Sequence, residues 1–318
     1  MLEYKERTMP KRALLIGCNY TATPSVQLSG CINDSVNMRG MLIDSYGYQD
    51  ANIYMLRDDD NARLPTKANI INYLTQLVAM SVTSDTLWIH YSGHGTQVQD
   101  LNGDESDKLD ECLVPCDYSK SGLITDDDLF AIIKNAKCQT IVMLDSCHSG
   151  TGIDLQYSIN YNAGVLTKVA NTSKSITNAN IIMLSGCQDS QTSADAYDTV
   201  SKRGIGAFTQ TLLETLRSYD HNVALLTLYT SLCVNLRRYG FTQIPVLSST
   251  VASPNFQFAR ANANGMSVVG GTTSVTNTTA KKDFAMYETP VVSSSVTKPL
   301  RGLMTSLIGS GSSQHYTS

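Results

Sequence analysis

Apolar runs alternate with amphipathic stretches along most of the chain, and this alternation predicts an α/β fold. Several runs are apolar at nearly every position, among them Leu87–Tyr91 and Ile141–Leu144, which is typical of strands buried on both faces of a parallel sheet. Between such runs, apolar residues recur at helical spacing, as in the helix expected to open at Pro65. We therefore expect a mostly parallel central sheet with helices on both faces.

The expected elements follow in alternating order along the chain. The predicted strands are Arg12–Cys18, Asn52–Leu56, Leu87–Tyr91, Cys112–Pro115, Ile141–Leu144, Ile181–Leu184 and Ile244–Leu247. The predicted helices are Asp34–Ser45, with Asn33 or Asp34 as N-cap, the helix opened by Pro65, a helix begun by Thr125–Asp128, Ala207–Tyr219 and Leu226–Arg238.

Composition divides the chain into segments. A short N-terminal segment (residues 1–11) precedes a block that carries the first five strands (12–154). A polar stretch rich in Ser, Thr and Asn (155–180) predicts an exposed connecting loop, and a second block (181–260) is expected to complete the same domain. The last segment (261–318) is rich in Ser, Thr and Gly, and we expect it to be loosely docked at most.

Charge and cysteine usage narrow the class of protein. The formal net charge is -4 and 16% of the residues are charged, so the sequence predicts neither a nucleic-acid partner nor a polybasic membrane contact. We see no secretory signal and no apolar membrane span, which favours a cytoplasmic, reducing location. We accordingly expect reduced core cysteines at Cys18, Cys138, Cys187 and Cys233. The spacing of Cys112 and Cys116 is only weak support for a zinc site.

Reactive side chains follow two of the apolar runs. One run ends in Ser92-Gly93-His94-Gly95, and the other ends in Asp145-Ser146-Cys147-His148-Ser149-Gly150. If the two strand ends lie side by side, His94 can activate the Cys147 thiol as a nucleophile, and the backbone N–H groups of Gly95 and Cys147 can stabilise an oxyanion. A buried structural thiol remains an alternative, and His148 competes for the role of base. His90, inside its run, reads as a core residue with satisfied hydrogen bonds.

These motifs closely resemble those of the metacaspases, cysteine peptidases of the caspase and legumain clan. The resemblance covers roughly residues 10 to 258. Besides the His and Cys motifs it includes Leu28-Ser29-Gly30-Cys31-Ile32-Asn33-Asp34 and Ser185-Gly186-Cys187-Gln188-Asp189-Ser190-Gln191-Thr192-Ser193-Ala194-Asp195. It implies a caspase-like fold, with residues 12–154 and 181–260 as p20-like and p10-like blocks. It also implies a calcium-dependent endopeptidase that cleaves protein or peptide substrates after Arg or Lys.

The resemblance also assigns roles to individual residues. It makes His94 and Cys147 the catalytic dyad, and it builds the specificity pocket from Cys31, Asp34, Ser92 and Asp145. The pocket is chemically sensible, because two carboxylates select a cation and can hold a guanidinium through two contacts. Asp34 could instead be a helix cap, and Asp145 a buried structural carboxylate.

The resemblance further implies a calcium site made of Asp110, Asp126, Asp127 and Asp154. No EF-hand spacing is present, so spacing alone does not identify these ligands. For the Asp126–Asp128 triplet, an alternative is that acidic residues in the first turn simply complement the helix dipole.

Some expectations concern processing and rival functions. The block order resembles type I metacaspases, although only about ten residues precede the first strand and a long prodomain is not expected. Lys168 and Lys174 are possible self-cleavage sites, and the metacaspase resemblance favours a monomer. A catalytically silent scaffold and a clan relative that cleaves after Asn remain as alternatives.

Overall fold

A sheet of eight strands forms the centre of the molecule, in the order β2-β1-β3-β7-β10-β14-β8-β9. The structure is a computed structural model, and it describes residues 10–100, 109–146, 152, 153, 155–162, 164–171, 176, 180–186, 195–198 and 203–261. The described residues all belong to one compact unit, which spans Met1–Val268.

The strands are β1 (Lys11–Gly17), β2 (Ile53–Arg57), β3 (Thr86–Ser92), β4 (Gly95–Gln99), β5 (Leu109–Leu113), β6 (Ile124–Thr125), β7 (Gln139–Asp145), β8 (Tyr157–Asn162), β9 (Val165–Ala170), β10 (Ile181–Ser185), β11 (Asp195–Asp198), β12 (Arg203–Gly206), β13 (Val223–Ala224), β14 (Val246–Ser249) and β15 (Gln257–Phe258). The helices are α1 (Cys31–Tyr46), α2 (Lys67–Met80), α3 (Tyr118–Ser121), α4 (Asp126–Ile133), α5 (Ala207–Ser218) and α6 (Leu225–Arg238).

The first five strands of the central sheet run parallel, and β14, β8 and β9 add to one edge in antiparallel fashion. The prediction of a mostly parallel sheet in an α/β fold is therefore confirmed. Smaller sheets pair β4 with β5 and β6, β11 with β12, and β13 with β15.

Two hydrophobic clusters cover the two faces of the sheet, because successive strand residues point to opposite sides. Leu15 and Trp88 face a cluster that includes apolar residues of α1, α5 and α6. Leu14 and Ile89 face a second cluster that includes apolar residues of α2 and α4. This double burial explains why the strands are apolar at almost every position, as the sequence indicated.

The strands that carry the reactive motifs end at the same level. Gly17 of β1 is in register with Ser92 of β3, and Ser92 is in register with Asp145 of β7. The backbone N–H of Gly93 donates to the carbonyl of Asp145 at 3.3 Å, so the two chains leave the sheet together. The predicted neighbourhood of these two strand ends is thus present.

The connection between the two blocks differs from the loop expected for residues 155–180. Its first part folds as the antiparallel hairpin β8–β9, which joins the central sheet through β14. Tyr157, Ile159 and Tyr161 alternate with polar residues, and Gly164 turns the chain with φ of 89°. The high Ser, Thr and Asn content obscured this period of two. All six residues of β9 are exposed, and the segment after residue 261 lies outside the described residues.

Element boundaries differ in smaller ways. The strand expected at Cys112–Pro115 is β5 (Leu109–Leu113). It pairs with β4 and not with the central sheet. The strand expected at Ile244–Leu247 is β14, which lies at Val246–Ser249, and the short strand β15 (Gln257–Phe258) follows it. Within the described residues, no helix combines the length and apolar character that crossing a membrane requires.

Candidate active site

Two carboxylates from different elements meet at the end of the sheet. Asp34 lies in the first turn of α1 and is 1% exposed, and Asp145 is the last residue of β7 and is 4% exposed. The Ser92 hydroxyl donates to Oδ2 of Asp34 at 2.7 Å. Ser92 is also the register partner of Asp145, so it links the two acidic side chains.

The N-terminus of α5 faces both carboxylates. The backbone N–H of Gly206, the N-cap residue, lies 3.0 Å from each carboxylate oxygen of Asp34. The N–H of Thr209 donates to Oδ2 of Asp145 at 2.9 Å. Helix N-termini stabilise negative charge through these free N–H groups, so α5 offsets part of the repulsion between the two acids.

Gly206 is a pocket residue that sequence reasoning missed. A Cβ built at this position would overlap Oδ2 of Asp145 and would lie 2.7 Å from Oδ2 of Asp34. The signal was present as a glycine before an amphipathic helix, but many helices begin in this way.

The remaining predicted pocket residue, Cys31, is the first residue of α1 and is 6% exposed. The N-cap of α1 is Gly30, so the expectation that Asn33 or Asp34 caps this helix is wrong. The carboxylate of Asp34 instead accepts hydrogen bonds from Ser92 and Gly206, which lie outside the helix.

His90 lies beside this pocket in the protein interior. It is fully buried, and its Nε2 lies 3.2 Å from the Thr209 hydroxyl. The backbone N–H of the same Thr209 donates to Asp145. Its Nδ1 has no hydrogen-bond partner among the described residues. The expectation of a core histidine with satisfied hydrogen bonds is therefore right in location and wrong for one nitrogen. Burial lowers the pKa of His90 to about 3, so the ring is neutral near pH 7.

His94 is buried two residues beyond Ser92, with 4% exposure. Its Nε2 lies 2.7 Å from the carbonyl oxygen of Val26. In a neutral imidazole this contact places the proton on Nε2 and leaves Nδ1 with a lone pair. Burial lowers the pKa of His94, and the hydrogen bond to Val26 opposes that shift. Val26 acts through its backbone, so its side chain carried no signal for this role.

Several predicted site residues cannot be placed. Cys147 and its neighbour His148 lie outside the described residues, as do Asp154 and Lys174. Gly95 begins β4 and is in register with Leu113 of β5. The dyad and the oxyanion roles of Gly95 and Cys147 therefore stay predictions.

The acidic positions gather beside Cys112. Asp126 and Asp127 open α4, and the preceding Thr125 is in register with Cys112, two residues from Asp110. Asp126 is 1% exposed and Asp110 is 9% exposed. Burial, together with the nearby carboxylates of Asp126 and Asp110, raises the pKa of the Cys112 thiol to about 12. Buried carboxylates from two segments suit a hard cation, although no group of three metal-binding side chains is found within the described residues.

Lys168, a possible self-cleavage site, lies in the edge strand β9. Its Nζ donates to the carbonyl of Ala252 at 3.2 Å and lies 5.8 Å from the centre of the Tyr157 ring. Cleavage after Lys168 would require β9 to detach from β8, because a peptidase needs an extended segment that is free to enter its cleft.

The cysteines that the structure describes are reduced. Cys18, Cys31, Cys112, Cys116, Cys138 and Cys233 are all free thiols. Three of the four expected core cysteines are among them and are buried, and Cys187 lies outside the described residues.

Comparisons with known proteins agree with the motifs. The family model for the metacaspase peptidase C14 domain matches residues 11–156. Metacaspase-1 of Cryptococcus neoformans is 35% identical over 68% of this chain and 58% of its own length. Metacaspase-1 of Kluyveromyces lactis is 34% identical over 80% of this chain and 70% of its own length. The chain thus spans only part of each relative. Caspase-1 of Spodoptera frugiperda has a similar fold, with a TM-score of 0.50, 16% identity, and 78% of this chain and 91% of that chain covered.

The close fit around Gly206 predicts that Gly206→Ala disrupts the pocket, since the new methyl group must displace both carboxylates. If the pocket binds a basic side chain as the sequence predicts, affinity for a guanidinium ligand such as agmatine, measured by calorimetry, should fall about tenfold or more, because both expected charged contacts are disturbed. Gly40→Ala in α1 is the control, because a Cβ at that position meets nothing within 4 Å. Equal affinity in the two variants would show that the carboxylates do not bind the cation.

The burial of His90 predicts an acid-sensitive fold. The folded-state pKa of about 3 lies below the usual value of 6.5, so the unfolded chain binds the extra proton and stability is lost as the pH falls below 6.5. Between pH 6 and pH 4.5 the free energy of unfolding should fall more steeply in the wild type than in His90→Gln, by up to about 1.4 kcal/mol per pH unit. Urea unfolding at several pH values measures both slopes, and parallel slopes would contradict this role of His90.

Proposed function

The chain belongs to the metacaspase family of cysteine-type endopeptidases, and from that premise we propose that it is a calcium-dependent peptidase that cleaves after Arg or Lys. The observation that carries the specificity is the pair of buried carboxylates, Asp34 and Asp145, held together by Ser92 and by the N-terminus of α5. The proposed dyad is His94 and Cys147, which each follow a pocket residue by two positions.

The proposed reaction begins with transfer of the Cys147 thiol proton to Nδ1 of His94. The thiolate then attacks the scissile carbonyl carbon, and the backbone N–H groups of Gly95 and Cys147 stabilise the oxyanion. When the intermediate collapses, the C–N bond breaks and the leaving amine takes the proton from His94. A water molecule, deprotonated by His94, next attacks the thioester, which releases the carboxylic acid and restores the thiol.

The hydrogen bond from His94 to Val26 supports this role for the imidazole. With Nε2–H committed to the carbonyl, only Nδ1 is available to accept the thiol proton. The lowered pKa of His94 keeps the ring neutral in the free enzyme near pH 7, which is the form that a general base requires.

The pocket chemistry supports a preference for basic residues. Two carboxylates in a site almost closed to water attract a cation more strongly than exposed acids would. Arg can contact both acids through its planar guanidinium, whereas Lys offers a single ammonium group. Cys31, at the start of α1, is proposed as the fourth pocket residue. An Asn-specific relative would not gain from two negative charges at this position.

For calcium, we propose Asp110, Asp126, Asp127 and Asp154 as the ligands. When bound, the ion would neutralise the acidic cluster and join β5, the start of α4 and the segment after the nucleophile. The supporting observation is that Asp126 and Asp110 are buried and both raise the pKa of the Cys112 thiol, because buried carboxylates that converge from two segments suit a hard cation. Protein or peptide substrates, a monomeric state, a cytoplasmic location and self-cleavage at Lys168 or Lys174 complete the proposal.

A panel of Arg, Lys, Asn and Asp reporter peptides tests the activity and separates it from its alternatives. The Arg and Lys reporters should be cleaved, and Cys147→Ala and His94→Ala should each lose about 10³-fold or more in kcat/KM. A silent scaffold would cleave none of the four reporters. Preferential cleavage of the Asn reporter would establish the clan relative with different specificity.

The calcium proposal predicts unequal effects from neighbouring acids of α4. Asp126→Asn should raise the calcium concentration for half-maximal activity about tenfold or more, because a buried ligand is lost. Asp128→Asn is the matched control, since Asp128 is in the same helical turn but is 43% exposed and pairs with Lys67 at 3.1 Å. Thermal stabilisation by calcium should change in parallel. Equal effects would favour the helix-dipole explanation, and full activity in chelator would remove calcium from the mechanism.

A further inference from the structure

The segment between β1 and α1 packs against His94. Besides Val26, whose carbonyl accepts from Nε2, it contributes Tyr20, which is 2% exposed. The Tyr20 ring lies against the imidazole, with the two ring centres 4.6 Å apart and an angle of 34° between the planes. One segment therefore contacts both the edge and the face of the imidazole.

The hydroxyl of Tyr20 also binds the backbone around His94. It accepts the N–H of His94 at 2.8 Å and donates to the carbonyl of Val114 at 2.7 Å. A second buried hydroxyl, that of Tyr91, donates to the carbonyl of His94 at 2.7 Å and accepts the N–H of Val114 at 3.2 Å. The Tyr91 hydroxyl also lies 3.0 Å from the carbonyl oxygen of Val114 and 3.3 Å from the Tyr20 hydroxyl. Tyrosine hydroxyls thus contact both backbone polar groups of His94, whose carbonyl also accepts the N–H of Val114 at 3.2 Å.

Tyr20 is itself held in an uncommon conformation. Its φ is 55°, in the left-handed region that bulky residues rarely adopt. Both neighbours anchor it, because the backbone N–H groups of Asn19 and Thr21 each donate to the Asp58 carboxylate at 2.8 Å. The Thr21 hydroxyl adds a bond to the Asp58 carbonyl at 2.9 Å. Such strained residues persist where the surroundings hold them and are common at active sites.

We propose that Tyr20 is a positioning residue for catalysis, which fixes the His94 imidazole so that Nε2 stays on the Val26 carbonyl and Nδ1 stays available for the thiol proton. Asp58, which directly follows β2, keeps Tyr20 in the conformation that this requires. The proposal rests on the function of His94 as the base. Tyr20 follows β1, so the end of a third strand joins those of β3 and β7, which precede the proposed dyad residues.

Tyr229 provides a matched control for Tyr20. It is a buried tyrosine in α6 whose hydroxyl likewise accepts a backbone N–H, from Tyr161 at 3.0 Å, and donates to a backbone carbonyl, that of Pro245 at 3.0 Å. Tyr20→Phe and Tyr229→Phe thus remove the same kind of hydrogen bonds, near the imidazole and away from it. Both should lower the melting temperature by a few degrees.

Only Tyr20→Phe should change the chemistry. With an Arg reporter, its kcat should fall about tenfold or more while KM stays within about twofold, because the base is misplaced and the pocket is not. Tyr229→Phe should keep both constants within about twofold. Wild-type kcat in Tyr20→Phe, or an equal loss in Tyr229→Phe, would overturn the proposal.

A second readout does not depend on peptidase activity. In histidine-labelled protein, Tyr20→Leu should remove the slowly exchanging Nε2–H signal of His94, and the His94 pKa should rise toward 6.5 as the ring gains water. If Tyr20→Leu does not fold, Asp58→Asn replaces it in this experiment. The amide cannot accept both backbone N–H groups as the carboxylate does, so the Nε2–H signal of His94 should weaken. An unchanged His94 signal in the folded variants would overturn the proposal. If the wild type cleaves no reporter, the proposed function fails while this signal still reports on Tyr20.

Discussion

Like-charge repulsion between Asp34 and Asp145 is the constraint on which the site depends. The two carboxylates come from α1 and β7, are almost fully buried, and meet at a residue that has no room for a side chain. The proposed cation-selective pocket needs both carboxylates together, but without compensation their charges would drive them apart. The hydroxyl of Ser92 and the first N–H groups of α5 offset part of this repulsion through their fixed dipoles.

The two buried histidines of β3 and its extension fit this electrostatic arrangement. A protonated His90 would place a positive charge beside Thr209 and Asp145 and would oppose cation binding. Burial keeps it neutral, since its lowered pKa is far from pH 7. His94 is also desolvated, but the Val26 carbonyl opposes part of the shift, which leaves a ring that is neutral and still able to accept a proton. Similar burial thus has different consequences for two histidines that are four residues apart, because their hydrogen-bond partners differ.

The sequence predicts those parts of the fold and of the site that depend on the chemical type of a side chain. The alternating pattern predicted the parallel sheet, and the polar residues after two strands predicted that the two strand ends lie side by side, as the register of Ser92 with Asp145 confirms. The features that it missed depend on backbone groups or on the absence of a side chain at a glycine. Val26 acts through a carbonyl and Gly206 through an N–H and the lack of a Cβ, and neither role has a side-chain signature. The hairpin β8–β9 was missed for a different reason, since the Ser and Asn residues of β8 resemble a polar loop and β9 is exposed although it is largely apolar.

The contacts that stabilise the pocket join distant parts of the polypeptide. Gly206 is 172 positions from Asp34, and Thr209 is 64 positions from Asp145. Contacts of such long sequence separation form late, because the intervening chain must first be ordered. During synthesis, Asp34, Ser92, His94 and Asp145 all leave the ribosome before the amides of α5 exist. The nascent chain therefore carries both acids without the helix that holds them together, and the order of translation itself delays assembly of the pocket until most of the domain has emerged.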